Sequence, residues 1–172
     1  MSKYLNKYRI ESTRKQSWDY GWNGRYFITI VTKNRKHFFG KIEEGKMFLS
    51  DIGEIANLYL KEIANHFPFT TCKNSVVMPD HIHSIIEIAN PTLKSNKNKL
   101  LGKNRYQNQG QNTISSIVGS YKSIVTRTAH KINPNYGWHT NYYDHIIKDN
   151  DEYERIKWYI INNPKKWTAD GK

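Results

Sequence analysis

The chain has 172 residues, 37% of them hydrophobic and 13% aromatic, which is enough apolar material for the core of one folded domain. Lysine and arginine outnumber aspartate and glutamate by 27 to 15, and the resulting formal charge of +12 favours a polyanionic partner, although such a charge can also serve solubility alone. The single cysteine excludes an internal disulfide, and no apolar run approaches the ~18 residues of a membrane span, so we expect a cytoplasmic protein with no membrane association.

Residues 1–24 are predicted to form a basic, aromatic arm. Tyrosine and tryptophan are interspersed there with lysine and arginine, and proteins that bind single strands combine stacking faces with cations in this way. Residues 26–32 are all β-branched or aromatic and predict the first strand. Residues 38–50 then predict a hairpin around Glu44-Gly45.

The middle of the chain predicts a helix and two further strands. The helix has Ser50 or Asp51 as its N-cap and should end near Phe67-Pro68. Residues 75–78 and 81–89 predict two antiparallel strands joined by a turn at Pro79-Asp80. Residues 90–112, rich in asparagine, lysine and glutamine, predict a mobile loop, which is either a basic flap or a tolerated insertion.

The last third predicts a helix beginning at Thr113 or Ser115, a fourth strand over residues 142–147, and a final helix from near Asn150. That helix should end at Asn163, because Pro164 follows. The order strand, helix, strand, strand, helix, strand predicts an α+β, ferredoxin-like antiparallel sheet with helices packed on it, plus a C-terminal helix. We therefore expect one domain over residues 25–167 and a short tail, 168–172.

Two histidines on the third predicted strand are the leading candidates for chemistry. Strand alternation places His81 and His83 on one face and the apolar Ile82, Ile86 and Ile88 on the other. Two parallel imidazoles can converge on one divalent ion. Two surface histidines on a half-wet sheet are the structural alternative, and a histidine pair at this spacing does not decide between the two.

The final helix carries a second group of candidates. Arg155, Tyr159 and Asn163 recur at intervals of four and share one face of the helix. Asn163 could complete a metal site begun by the histidines, and Tyr159 would then lie one turn away. The structural alternative is a packed tyrosine and an asparagine that only ends the helix.

At these residues the sequence resembles the HUH endonucleases, and within them the REP-associated tyrosine transposase branch of the single-tyrosine transposases. Residues 78–83 resemble the histidine-hydrophobic-histidine motif of those enzymes. Three other blocks agree with the branch in the same order, namely residues 26–36, 138–147 and 159–164. The resemblance covers most of the chain between Arg25 and Trp167.

The resemblance implies a role for each candidate. His81 and His83 would bind Mg²⁺ or Mn²⁺, Asn163 would be a third ligand, and Tyr159 would be the nucleophile that forms a 5′-phosphotyrosine link. It also implies a substrate of single-stranded DNA that carries a folded hairpin, and a homodimer, since related enzymes include dimers. The segment 90–112 departs from the branch as an insertion.

Further residues are candidates for supporting roles. Glu87 shares the face of the two histidines, and His145 lies on the fourth strand, so both are possible accessory groups. Tyr121 precedes Lys122 but lies among apolar residues at helical spacing, which favours core packing over a nucleophile. Five basic residues are candidates for contacts with the DNA backbone: Arg25, Lys122, Arg127, Lys157 and Lys165.

Three functions remain open from the sequence. The first is a metal-dependent transposase that cleaves and rejoins single-stranded DNA through Tyr159. The second is a non-catalytic DNA- or RNA-binding protein of the same fold, whose binding would be indifferent to metal. The third is a metal-dependent phosphodiesterase that uses water as its nucleophile and leaves no protein adduct.

Overall fold

The computed structural model describes residues 18–92 and 110–167, together with the backbone of two short strands near the start of the chain. Its strands and helices, in chain order, are β1 (Lys3–Tyr4), β2 (Lys7–Tyr8), β3 (Gly24–Val31), β4 (Gly40–Glu43), β5 (Lys46–Leu49), α1 (Asp51–His66), β6 (Thr70–Val77), β7 (His81–Ile88), α2 (Ile114–Ala129), β8 (Tyr143–Ile147) and α3 (Asn150–Lys166). Strands β1 and β2 pair only with each other.

Four strands form the central sheet in the order β6-β7-β3-β8, with every neighbouring pair antiparallel. Together with α1 and α2 they follow the order strand, helix, strand, strand, helix, strand, so the predicted ferredoxin-like α+β fold is confirmed. The β4–β5 hairpin also forms as predicted, because Glu44 and Gly45 both adopt the positive φ angles, 49° and 73°, that a tight hairpin turn requires.

Helices α1 and α2 cover one face of the sheet. Ser50 begins α1 by accepting a hydrogen bond from the Gly53 amide, and Thr113 and Ser116 form a reciprocal capping box at the start of α2. The core between these helices and the sheet is apolar, and its largest fully buried members include Tyr26, Ile28, Ile82, Ile86 and Ile117. Tyr121 belongs to this core and donates its hydroxyl to the Ala56 carbonyl, as expected for a packing residue.

Helix α3 covers the opposite face. A second, smaller apolar cluster of Ile85, Ile147 and Ile160 joins it to β7 and β8. Strand β7 is therefore buried on both faces, whereas a half-wet sheet was the alternative that the sequence left open. The two candidate histidines consequently lie between the sheet and a helix and not on an open surface.

Two predicted boundaries were wrong. Helix α3 continues through Pro164 to Lys166 and does not stop at Asn163. The proline lacks one N–H donor near the helix end, but the helix continues where Asn163 is buried and the Trp167 ring contacts His81. Strand β6 begins at Thr70, not at residue 75, because pairing with β7 continues past a register shift between Thr71 and Asn74.

The predicted N-terminal arm is partly inside the folded unit. The Trp18 indole donates to the Tyr26 hydroxyl at 3.1 Å, and the Tyr20 carbonyl accepts from the Ile114 amide at 3.0 Å. Residues 18–24 thus pack with the domain that was predicted to begin at residue 25. Most of the predicted loop, 93–109, and the predicted tail, 168–172, lie outside the described residues. In the part of the chain that is described, no helix has the length and apolar character to cross a membrane.

Candidate active site

His81 and His83 lie at the start of β7, on the face that α3 covers. Only 8% and 6% of these residues is exposed. Their imidazole rings converge, and the two Nε2 atoms lie 3.1 Å apart. The alternation predicted from the sequence therefore places both rings where they can act on one bound group.

Each histidine is held through its other ring nitrogen. The Nδ1 atom of His81 lies 2.5 Å from the Asp80 carboxylate, and the Nδ1 atom of His83 lies 2.8 Å from the Thr29 hydroxyl. Asp80 in turn pairs with Arg35 at 3.2 Å. Hydrogen bonds of this kind leave Nε2 as the free ligand atom, which is the usual arrangement around metal-binding histidines.

The electrostatics favour neutral, electron-donating imidazole at His83. Burial and the neighbouring His81 lower the pKa of His83 to about 3, against an opposing attraction from Asp80. Burial raises the pKa of Asp80, but its hydrogen bond to His81 and the charges of His81 and Arg35 outweigh burial and hold that pKa below its ordinary value. Asp80 is therefore an ionised acceptor at neutral pH.

Tyr159 reaches the same point from α3. Its hydroxyl lies 3.3 Å from His83 Nε2, and its ring packs edge-on against Phe27, with 6.2 Å between the ring centroids. The side chain is 41% exposed, so one side of the phenol stays open to solvent. The structure thus brings the proposed nucleophile and the histidine pair together within one chain.

Along the chain, Asn163 lies between Tyr159, whose ring contacts His83, and Trp167, whose ring contacts His81. It follows Tyr159 by one helical turn and precedes Trp167 by one turn, and the Trp167 ring lies 5.7 Å from the His81 ring. Asn163 is 8% exposed, and its side chain has no hydrogen-bond partner among the described residues. Its amide therefore has no partner within the described fold and is available to a ligand.

The residues present fit a divalent metal ion. Neighbouring ligands of a six-coordinate ion with bonds of about 2.1 Å lie about 3.0 Å apart, close to the 3.1 Å between the two Nε2 atoms. Within residues 18–92 and 110–167, no cluster of three histidine, cysteine or acidic side chains could hold a metal. A third ligand would therefore be another oxygen donor, such as the amide of Asn163, substrate or water.

The structure does not bring the two accessory candidates to this site. Glu87 lies four residues beyond His83, about 13 Å along the strand, and pairs with Arg25 at 3.7 Å. His145 bonds to Glu152 in the first turn of α3 at 2.8 Å. Glu87 thus links β7 to β3, and His145 links β8 to α3. The sequence pattern did not predict these structural roles.

The predicted DNA-contacting residues are spread over two sides of the molecule. Arg25 stacks on the Tyr153 ring at 4.5 Å, and Lys157 pairs with Glu154 at 3.1 Å, both on the α3 side, where Lys165 lies beside Gly45. On α2, Lys122 donates to the carbonyls of His139 and Thr140, and burial lowers its pKa. Arg127 and Lys122 line a shallow depression beside Trp138.

Three residues around the histidines were not identified from the sequence: Thr29, Asp80 and Trp167. The position of Asp80, directly before His81, was a usable signal. Thr29 could be found only from the pairing of β3 with β7, which sets it opposite His83.

The chain is similar in sequence or fold to several known proteins, and transposases are among them. No protein-family model matches it. An uncharacterized protein of Haemophilus influenzae is 38% identical over 162 residues, covering 92% of this chain and 90% of that protein. A second H. influenzae protein, named "Putative REP-associated tyrosine transposase", is 24% identical over 156 residues, covering 86% and 74%. The solved structure of a REP-associated tyrosine transposase bound to a REP hairpin matches with a TM-score of 0.57 and 18% identity, covering 96% of this chain and 74% of that one.

The chain therefore has the fold of a REP-associated tyrosine transposase. A further solved structure, a putative transposase of Deinococcus radiodurans, shares the fold, with a TM-score of 0.50 and 16% identity over 90% of this chain and 97% of that one. The antiparallel sheet with its three helices is therefore the fold of these transposases.

Proposed function

We propose that this protein is a tyrosine transposase that cleaves and rejoins single-stranded DNA through a covalent bond between Tyr159 and a 5′ phosphate, with help from a divalent metal. The observation that carries the proposal is the convergence of three groups: His83 Nε2 lies 3.1 Å from His81 Nε2 and 3.3 Å from the Tyr159 hydroxyl. A phosphate held beside the histidines would lie within reach of that hydroxyl.

The reaction is a transfer of the phosphoryl group from one oxygen to another. The Tyr159 oxygen bonds to phosphorus as the bond from phosphorus to the 3′ oxygen breaks, while the hydroxyl loses its proton and the 3′ oxygen gains one. The products are a 5′-phosphotyrosine ester and a free 3′ hydroxyl. Because the ester keeps the phosphate activated, a 3′ hydroxyl can later attack it and reseal or join a strand.

A neutral phenol is a poor nucleophile, so the phosphate must be activated. A bound divalent metal would draw charge from the phosphate oxygens and stabilise the leaving 3′ oxygen. His81, His83 and Asn163 are the residues that would hold it. Two imidazole nitrogens favour Mn²⁺ over Mg²⁺, which prefers oxygen ligands.

Two features support a hairpin-bearing DNA as the substrate. The chain carries a formal charge of +12, which suits a polyanion. The structural relative with a TM-score of 0.57 is bound to a REP hairpin. All residues of the proposed site come from one chain. The homodimer and the cytoplasmic location stay predictions.

The test of this function is formation of a covalent adduct. Labelled single-stranded DNA carrying a hairpin is incubated with the protein and Mn²⁺ or Mg²⁺ and then run on a denaturing gel. We expect a labelled protein band for the wild type and none for Tyr159→Phe. Tyr59→Phe, which removes a hydroxyl between α1 and α2 on the opposite side of the sheet, should keep the band.

Other outcomes would favour the alternatives. A free 5′ phosphate product without an adduct, unaffected by Tyr159→Phe, indicates a phosphodiesterase that uses water. DNA binding without any cleavage across a panel of hairpin-bearing strands indicates a non-catalytic binding protein.

The role of Asn163 is tested by metal binding. Asn163→Ala should weaken Mn²⁺ binding, measured by titration calorimetry, because it removes the third protein ligand. Asn162→Ala is the matched control, since the neighbouring amide donates to the Trp158 carbonyl and is not directed at the histidines. Equal Mn²⁺ affinity in the two variants would exclude Asn163 as a ligand.

A further inference from the structure

A strip of the sheet beside Tyr159 is not covered by α3. His83, Thr29 and Tyr143 form one row across β7, β3 and β8, because Thr29 pairs with both of the others. Tyr143 shares the α3 face with His145 and Ile147, and these two contact α3. Tyr143 does not contact α3 in this way and is 59% exposed.

Phe27 links Tyr143 to the proposed nucleophile. Its ring stacks on His83 at 5.2 Å and contacts the rings of Tyr159 at 6.2 Å and Tyr143 at 6.4 Å. The two tyrosine rings, both neighbours of Phe27, are therefore no more than about 13 Å apart. That separation is a few nucleotides along a single strand.

Two other exposed aromatic residues of the described chain do not share this position. Phe48 lies on the β4–β5 hairpin, and one face of the Trp158 ring is covered by the Lys166 ammonium at 4.3 Å. Tyr143 has ring contact with Phe27, and its hydroxyl has no hydrogen-bond partner among the described residues. An open aromatic ring on a sheet face, in a basic protein, is a surface on which nucleobases stack.

We propose that Tyr143 is a stacking platform for a nucleobase of the strand whose phosphate Tyr159 attacks. The inference rests on the proposed function and names one part of its substrate site. Stacking on Tyr143 would hold the strand against the sheet, so that a phosphate within a few nucleotides of the stacked base approaches the histidine pair. A phenyl ring can replace the phenol in this role, whereas a methyl group cannot.

The test compares two probes in the presence of a chelator, so that no cleavage occurs. One is a fluorescent single-stranded 20-mer of random sequence, and the other is a 20-mer of abasic sites with the same phosphates. We expect Tyr143→Ala to weaken binding of the first about tenfold and to leave binding of the second unchanged, while Tyr143→Phe binds both as the wild type does. Phe48→Ala removes another exposed aromatic ring, 49% exposed against 59% for Tyr143, and serves as the control.

Two results would overturn the proposal. Unchanged affinity of Tyr143→Ala for the base-containing strand means that no base stacks there. An equal loss on both probes means that the residue acts on the backbone or on the fold. Because binding is measured without metal or cleavage, a base-specific loss in Tyr143→Ala remains visible even if Tyr159 forms no adduct.

Discussion

The close approach of the two histidine Nε2 atoms depends on which ring nitrogens carry protons. An ionised Asp80 can only accept a hydrogen bond, so Nδ1 of His81 carries a proton, and Nε2 of a neutral His81 ring presents a lone pair. The pKa of about 3 keeps His83 neutral. Two lone pairs at 3.1 Å repel each other, so a proton or a metal ion must lie between the nitrogens. The Asp80 and Thr29 contacts thus prepare the pair for a cation.

Asp80 should therefore control metal affinity without touching the metal. We expect Asp80→Asn to lower the affinity for Mn²⁺ about 10- to 100-fold, because the neutral amide no longer fixes the orientation and proton of His81. Titration calorimetry measures the change, with Asp51→Asn as a control on an exposed aspartate of α1. Identical affinities in Asp80→Asn and the wild type would contradict this role for the carboxylate.

At the scale of elements, the candidate site forms only when α3 packs on the sheet, because α3 carries Tyr159 and Asn163 and the sheet carries the histidines. The helix packs on the sheet through Ile160, which is 1% exposed and contacts Ile85 and Ile147. Its first turn is held by the bond between Glu152 and His145, and its end by the contact of Trp167 with His81. Tyr159 lies between these attachments, so its position depends on how firmly the helix is docked.

The docking of α3 can be measured with two neighbouring isoleucines. Ile160→Ala should lower the free energy of unfolding by about 2–4 kcal/mol, because it leaves a cavity between the helix and the sheet. Ile161→Ala, at a position that is 62% exposed, should change it by less than about 0.5 kcal/mol. Urea denaturation followed by circular dichroism tests both, and similar losses in the two variants would mean that α3 is not docked as described.

The element scale also shows what the sequence could and could not predict. Alternation on β7 correctly put both histidines on one face, because the strand period follows from backbone geometry. The end of α3 was predicted from Pro164 alone and was wrong, since local rules do not include the packing of Trp167 on His81. The partners of the histidines depend on strand register, which no single stretch of sequence contains. The ligand roles and the nucleophile stay predictions.

At the scale of the whole molecule, charge should dominate the affinity for DNA. With a formal charge of +12, binding to a single strand should release counterions and weaken with salt. If about three phosphates are neutralised, affinity for a fluorescent 20-mer should fall about 20-fold between about 50 and about 200 mM salt. Fluorescence anisotropy across a salt series measures the slope, and a fall of less than about twofold would argue against phosphate contacts.

The order of elements along the chain has a consequence for synthesis. Helix α3 follows all four strands of the central sheet, and chains fold from the N-terminus as they leave the ribosome. A nascent chain therefore holds both histidines before Tyr159 has been translated. On the proposed function, a polypeptide that lacks α3 can neither cut nor join DNA, and the capacity to break a DNA strand is acquired only when α3 has been translated and has docked on the sheet.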